Sequence, residues 1–361
     1  MNQRVSGIND EIIIQWHIVR DQGGDMGIPI QGENNSICQT VLDRIPQGQG
    51  KWVVLTGATD GIGKALCFAL ANKGFNILLC ARSKTKAQSV VEVLSSHNKE
   101  SSYVVQTLDL SDLRSCATAV EAIKDMNIKI DFIFANAGMI GASDAQNLIG
   151  LNETFFVNHI GHFSFITGLL PLLGTRKENR VIVQSSVAHW YHSSPYNFAK
   201  YFSATNRKQF VFANMNNAYA DSKFANILFA KKLNRQLSQI GSEAMSLPVH
   251  PGYAVTNINK EIVNQTWLNS ISSLFSGNNR SLLLKLGCKL KLSQPSMLNA
   301  ALSALDAAFR QEPFVYTGPS GFFELQGVPG LAKLHKDANN QSLQDELWDM
   351  TASFLEKNVD V

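Results

Sequence analysis

From Lys51 onward, short apolar runs alternate with helix-spaced segments, and this alternation limits the folds open to the chain more than any other feature. WVVLTG is a brief apolar run closed by glycine, which suits a buried parallel strand, and GKALCFALANKG follows with helical spacing and a glycine stop. FNILLCAR, YVVQTLDL, IDFIFANAG and RVIVQSS repeat the strand signal. KTKAQSVVEVLSSH, DLRSCATAVEAIKDM and ETFFVNHIGHFSFITGLLPLL read as helices between them. AYADSKFANILFAKKLNRQL is expected to be a helix, SEAMSLPVHPG a further strand, and VYTGPSGFFELQG a last strand with its loop, before a capping helix. This order predicts a Rossmann-type α/β fold, a doubly wound parallel sheet with helices on both faces. Residues 51–325 are expected to form the one main domain and 326–361 its helical cap. Residues 1–50 differ in composition and read as an N-terminal extension, for which packing on the domain and a disordered leader are both open.

Composition narrows the function classes. Only 17% of the 361 residues are charged, against about 25% in an ordinary globular protein. A surface so poor in charge points to a homo-oligomer contact, a membrane-facing patch or an apolar ligand. The net charge of +3 is too small to favour nucleic acid as a partner. The five cysteines are scattered and form no C-x-x-C pair, so reduced thiols in a cytosolic setting are expected, with no disulfide framework and no metal site. The opening MNQRVSGINDEIIIQW carries no apolar run behind a basic cluster, and no secretory signal is expected. No stretch offers roughly 18 uncharged apolar residues, so the chain reads as soluble.

In sheets of this kind ligands bind beyond the carboxyl ends of the strands, and TGATDGIG, NAG, SS and HPG all follow strand ends. Thr56 to Gly63 join the first strand to the first helix. Gly57 allows a tight turn, Gly61 lets backbone approach a pyrophosphate, and Gly63 lets the helix pack closely on the sheet. Thr59, Asp60 and Ile62 lie in the same loop, so dinucleotide binding is favoured over a plain turn. After the second strand, Ala81 stands where an acid would accept ribose hydroxyls, and Arg82 and Ser83 follow. The Arg82 fork can pair with a 2′-phosphate, which favours NADP(H) over NAD(H), although Asp60 argues mildly the other way.

Tyr219 and Lys223 lie one helical turn apart, on one face. A free phenol titrates near ~10, and a neighbouring ammonium favours its phenolate, which suits proton exchange with a reacting oxygen. Ser186 or Ser185, after the fifth strand, could donate a hydrogen bond to that oxygen. Taken singly, each position has an ordinary reading as a cap, turn or packing residue. Their order along the chain argues otherwise.

The series TGATDGIG, NAG, SS, Tyr-x-x-x-Lys and HPG resembles the short-chain dehydrogenase/reductase family over roughly residues 51–325. The resemblance implies that Asn136, Ala137 and Gly138 border the cofactor, that Asp109 and Leu110 lie at its adenine, and that Pro251, Gly252 and Thr256 flank the nicotinamide. It implies Tyr219 as acid/base, Lys223 as its activator and ribose contact, Ser186 rather than Ser185 as oxygen donor, and Asn158 as support of a proton relay. NHIGHF, SSVAH and the 33 positions separating Ser186 from Tyr219 resemble the branch with retinol dehydrogenases and protochlorophyllide reductases. That branch implies a bulky apolar or conjugated substrate. The expected function is therefore NADP(H)-dependent hydride transfer between nicotinamide and a bulky carbonyl or alcohol. Reduction of a conjugated C=C bond and a non-catalytic cofactor sensor are the alternatives. Residues 266–292, rich in leucine with Arg280, Lys285, Lys289 and Lys291, are expected to cover an apolar pocket; peripheral membrane contact is the second reading.

Overall fold

A computed structural model describes residues 34–141, 147, 150–193, 196–203, 215–252 and 297–358. Its centre is an eight-stranded sheet in the order β3-β2-β1-β4-β5-β6-β7-β8. The strands are β1 (Trp52–Thr56), β2 (Asn76–Ala81), β3 (Tyr103–Thr107), β4 (Ile130–Ala135), β5 (Arg180–Gln184), β6 (Met245–Val249), β7 (Thr317–Pro319) and β8 (Pro329–Leu331). The first seven run parallel, and β8 returns antiparallel against β7. β1 pairs with β2 on one side and β4 on the other, so the strand order reverses there and a crevice opens beyond Thr56 and Ala135.

The near-continuous apolar strands arise because both faces are covered. Val53, Leu55, Ile77, Leu79, Phe132 and Phe134 point into one core, under α2 (Gly61–Ala71) and α7 (Met297–Phe309). Their alternates Val54, Leu78, Ile133 and Ala135 enter a second core, under α4 (Leu113–Asp125), α5 (Glu153–Leu172) and α6 (Met215–Gln239). α3 (Lys84–His97) joins the first core through Val90 and Leu94. α1 (Asn34–Arg44) lies within the expected extension and packs on α7. Val41 and Ile45 are buried there, Arg44 pairs with the buried Asp306, and Cys38 Sγ donates to Asn299 Oδ1 at 2.8 Å.

Three features had no counterpart in the sequence reading. α5 contains a π-helical turn, Phe156–Gly161, which holds Asn158; such turns recur at functional sites. Among the described residues after Ser186 are two short 3-10 turns, Val187–Tyr191 and Phe198–Tyr201. Residues 326–361 begin with β8 before α8 (Gln341–Asn358), so the cap starts as sheet. α5 is also long and apolar enough to cross a membrane, but 67% of its apolar window is buried inside this fold, as befits a core helix. Residues 1–33 and 266–292 lie outside the described residues.

Candidate active site

The crevice is built first from backbone. Gly57 has φ +68°, and a Cβ on it would lie 2.9 Å from Ala137 Cα. A Cβ on Gly63 would lie 2.1 Å from the Gly57 carbonyl oxygen, so only glycine lets α2 start so close to the loop. The Asp60 side chain caps α2, accepting from Gly61 N at 2.7 Å. Thr59 and Ile62 are half-buried in the same turn. Thr56, at the end of β1, ties the loop to β4: its Oγ accepts from Asn136 N and Ala137 N, both at 3.0 Å. His162 Nε2 lies 2.9 Å from that hydroxyl, while its Nδ1 faces the carbonyls of Val157 and Asn158 at 3.1 and 3.2 Å. Nδ1 therefore carries the proton and Nε2 accepts from Thr56. Burial, and secondarily the Lys223 charge, push His162 down to about 4, which keeps it neutral in this role.

At the end of β2, Arg82 is exposed and pairs with no carboxylate among the described residues. Ser83 is the N-cap of α3 and accepts from Lys86 N at 3.3 Å. After β3, Asp109 accepts from Ser111 N and Ser111 Oγ at 2.9 and 2.7 Å, and the cap of α4 is Asp112. Leu110 is buried, with its carbonyl against Gly161.

Side chains from four elements meet across the crevice. Lys223, only 3% exposed on α6, donates to the Gln184 carbonyl at 3.3 Å, and its Nζ is 5.6 Å from the centre of the Tyr219 ring. A Cβ on Gly138 would lie 3.1 Å from that Nζ and 3.4 Å from Asn158 Oδ1, so the NAG turn, the π turn and α6 converge here. Asn158 Oδ1 accepts from Met139 N at 2.8 Å. Its Nδ2 donates to Met139 O and Ser222 Oγ, both at 3.0 Å, and Ser222 Oγ donates to Tyr219 O at 2.7 Å. The two serines after β5 divide their work. Ser185 is buried and donates to Lys223 O at 2.7 Å, whereas the half-buried Ser186 accepts from Ala188 N at 3.2 Å as the cap of the following turn and lies where it lowers the titration of the Tyr219 phenol.

Burial pushes Lys223 down to about 8. The phenol departs from the expected direction: burial raises Tyr219 above its ordinary value, and the opposing influence is the Ser186 hydrogen bond rather than the ammonium. Desolvation outweighs charge because both groups are packed into the fold.

Beyond β6, His250 is buried, its Nδ1 accepting from Gly252 N at 3.2 Å and its Nε2 lying 3.3 Å from Glu324 Oε2. Gly252 has φ +71°, and a Cβ there would come within 2.4 Å of Leu325 O, so the Pro251–Gly252 turn is closed by the loop between β7 and β8. Thr256 lies outside the described residues. Thr56, His162, Ser222 and Glu324 escaped the sequence reading as parts of this site. Thr56 and His162 stood in quoted motifs, but only the fold pairs residues more than a hundred positions apart.

A family profile described as short chain dehydrogenase matches residues 51–208. A short-chain dehydrogenase/reductase of Armillaria gallica is 30% identical over 236 residues, covering 62% of this chain and 73% of that protein. The chain belongs to the short-chain dehydrogenase/reductase family. Within that family its likeness extends to the retinol dehydrogenases: mouse (Mus musculus) retinol dehydrogenase 12 is 32% identical over 224 residues, 62% of this chain and 66% of that one. Chicken (Gallus gallus) WW domain-containing oxidoreductase is 33% identical over 224 residues, 61% of this chain. The matches span 52% of the chicken protein and 66% of the mouse one, less than two thirds of each. The crystal structure of an uncharacterised Mycobacterium paratuberculosis protein shares the fold, with TM-score 0.65 and 24% identity over 87% of this chain and 97% of that one.

Proposed function

We propose that this short-chain dehydrogenase/reductase is an NADP(H)-dependent oxidoreductase acting on a bulky apolar carbonyl or alcohol. The observation that carries the proposal is the convergence of Tyr219, Lys223, Ser186 and Asn158 beside a glycine cradle that any Cβ would fill. That cradle and the start of α2 suit a pyrophosphate. Gly57, Thr59, Gly61, Ile62 and Gly63 would border it, with Asn136 to Gly138, Tyr219, Lys223, Pro251 and Gly252 nearer the nicotinamide. The bound cofactor supplies or accepts the hydride.

The chain's own residues manage the proton. In the reducing direction Tyr219 donates its phenolic proton to the carbonyl oxygen as negative charge develops there, and Ser186 donates a hydrogen bond to the same oxygen. The Lys223 ammonium stabilises the tyrosinate left behind. Asn158 fixes the π turn against Met139 and Ser222, and so supports the lysine end of the relay. Two observations favour NADP(H). Arg82 is an exposed guanidinium at the end of β2, where Ala81 replaces an acid, and the Asp60 carboxylate is engaged as a helix cap. The stretch between Ser186 and Tyr219 supports a bulky substrate, since it raises Trp190 and Tyr191, 42% and 52% exposed, directly after the serine.

Tyr219→Phe tests the reading. It is expected to keep NADPH binding, measured by fluorescence titration, while carbonyl turnover falls by roughly 10²- to 10⁴-fold. The substrates are a panel of retinoid, steroid, quinone and polyketide-type carbonyls, followed by NADPH absorbance. Unchanged turnover in this variant would refute the assigned role.

A further inference from the structure

α6 buries a third ionisable side chain between the two just discussed. Asp221 is 3% exposed and touches neither the glycine cradle nor the ends of β4 and β5 through any hydrogen bond among the described residues. Two positions from both Tyr219 and Lys223 on a helix, it projects from a different flank. Among the described residues, every donor that reaches it comes from the stretch following Ser186. Ser193 N donates to Oδ1 at 2.6 Å, Ser193 Oγ to Oδ2 at 2.9 Å, Tyr201 OH to Oδ2 at 2.6 Å, and Lys200 Nζ lies 2.9 Å from Oδ2. Lys200 Nζ also donates to Ser193 Oγ at 3.1 Å, closing the cluster.

A buried carboxylate is costly unless paired and hydrogen-bonded. Apolar contact alone already fastens this stretch to the fold: Tyr201 stacks on Phe155 at 4.0 Å between ring centres, and Tyr196 stacks on Phe224 at 5.3 Å. Such ring contacts have a preferred geometry but define position along the helix less sharply than hydrogen bonds do. Four directed bonds to one carboxylate set the position of the stretch along α6. They do so within two residues of the phenol, while the other end is fixed by His189 Nδ1 donating to Ser186 O at 2.8 Å. Trp190 and Tyr191 lie between these anchors.

We propose that Asp221 is a specificity-determining positioning residue, which holds residues 187–193 and 196–203 as the wall against which a bulky apolar substrate is seated beside Tyr219. The proposal rests on the reading of Tyr219 as the acid of a carbonyl reductase. A small carbonyl needs the phenol and Ser186 but not this wall, so loss of the anchor separates large from small substrates.

The test compares Asp221→Asn with wild type on all-trans-retinal and on butanal, with NADPH affinity measured beside both. Expected is a rise of at least tenfold in KM for retinal, with kcat/KM for butanal and NADPH affinity changed less than twofold. Asp221→Glu should restore part of the retinal KM. If Asp221→Asn does not fold, Tyr201→Phe and Lys200→Met each remove a single donor, and a KM rise of twofold or more confined to retinal is expected from either. Equal changes on both aldehydes would mean a general structural role and overturn the proposal, as would no change on either. Failure of the catalytic reading shows elsewhere, as a Tyr219→Phe variant that still turns over. A wild type that reduces neither aldehyde removes the specificity role of Asp221 together with the site it serves.

Discussion

On the β1–α2 side the crevice wall is backbone. Gly57, Gly63 and Ala137 approach one another so closely that no Cβ fits between them, and the one capping side chain, Asp60, bonds its immediate neighbour. On the α6 side the wall is side chains joined over long sequence distances: Asn158 to Ser222, Lys223 to Gln184, Ser185 to the Lys223 carbonyl. The first wall depends on what is missing, a set of absent methyl groups. The second depends on donors and acceptors that must all be present and correctly aimed. The two should therefore fail differently under substitution.

Gly63→Ala is the strongest way to test the first half of that contrast. The added Cβ would meet backbone, which cannot rotate aside, so α2 or the loop must move. NADPH binding is expected to be lost, and stability to fall by roughly 1–3 kcal/mol as for other overpacked sites. Titration with NADPH and thermal unfolding measure the two effects. Retained binding with lowered stability would show that the cradle tolerates more backbone movement than its close contacts imply.

The same contrast explains what could be read from the sequence. Glycine spacing at a strand–helix junction is local, so the loop and the succession of strands β1 to β6 along the chain were legible in short windows, while their order in the sheet was not. Tyr219 and Lys223 were legible because a helix fixes their relation by spacing alone. The Thr56–His162 bond, the Ser222 bridge and the Glu324–His250 contact were not, because each joins elements distant in the chain. The π turn also escaped, since the hydrophobic spacing of NHIGHF fits an ordinary helix. The choice between Ser185 and Ser186, left open by the residues alone, corresponds to a physical division: one bonds the backbone of α6, and the other caps the next turn and lowers the titration of the α6 phenol.

For the side-chain wall the next effect in size is set by protons. Lys223 is held at about 8 by burial, while Tyr219 is raised. The phenol thus stays protonated across the working range, and the ammonium is the first of the two to be lost as pH rises. The kcat/KM for carbonyl reduction is expected to fall through about pH 8, and Lys223→Met should abolish that limb along with most of the rate. Stability moves the opposite way. The folded lysine binds its proton less tightly than an unfolded one near ~10.4, so the unfolded chain holds more protons between the two values and wild-type stability rises with pH there. Urea midpoints of wild type and Lys223→Met across that window check the sign. A rate that stays flat through pH 8 would mean that the neighbouring groups hold the ammonium charged once substrate and NADPH are bound.

The smallest expected effects separate two adjacent residues at the edge of the backbone wall. Arg82 is exposed, and its proposed partner is the 2′-phosphate of NADP(H), whereas Ser83 already spends its hydroxyl on Lys86 N as the cap of α3. A charge-assisted hydrogen bond contributes about 1.5–3 kcal/mol, so Arg82→Ala should weaken NADPH binding by about tenfold or more and leave NADH binding and thermal stability unchanged. Ser83→Ala should do the reverse, losing about 1 kcal/mol of stability as caps do while altering NADPH affinity less than Arg82→Ala does. If Ser83→Ala instead costs NADPH affinity without lowering the melting temperature, the hydroxyl leaves its cap when cofactor binds. The backbone wall would then contain a side-chain switch, and the contrast between the two walls would be weaker at that corner.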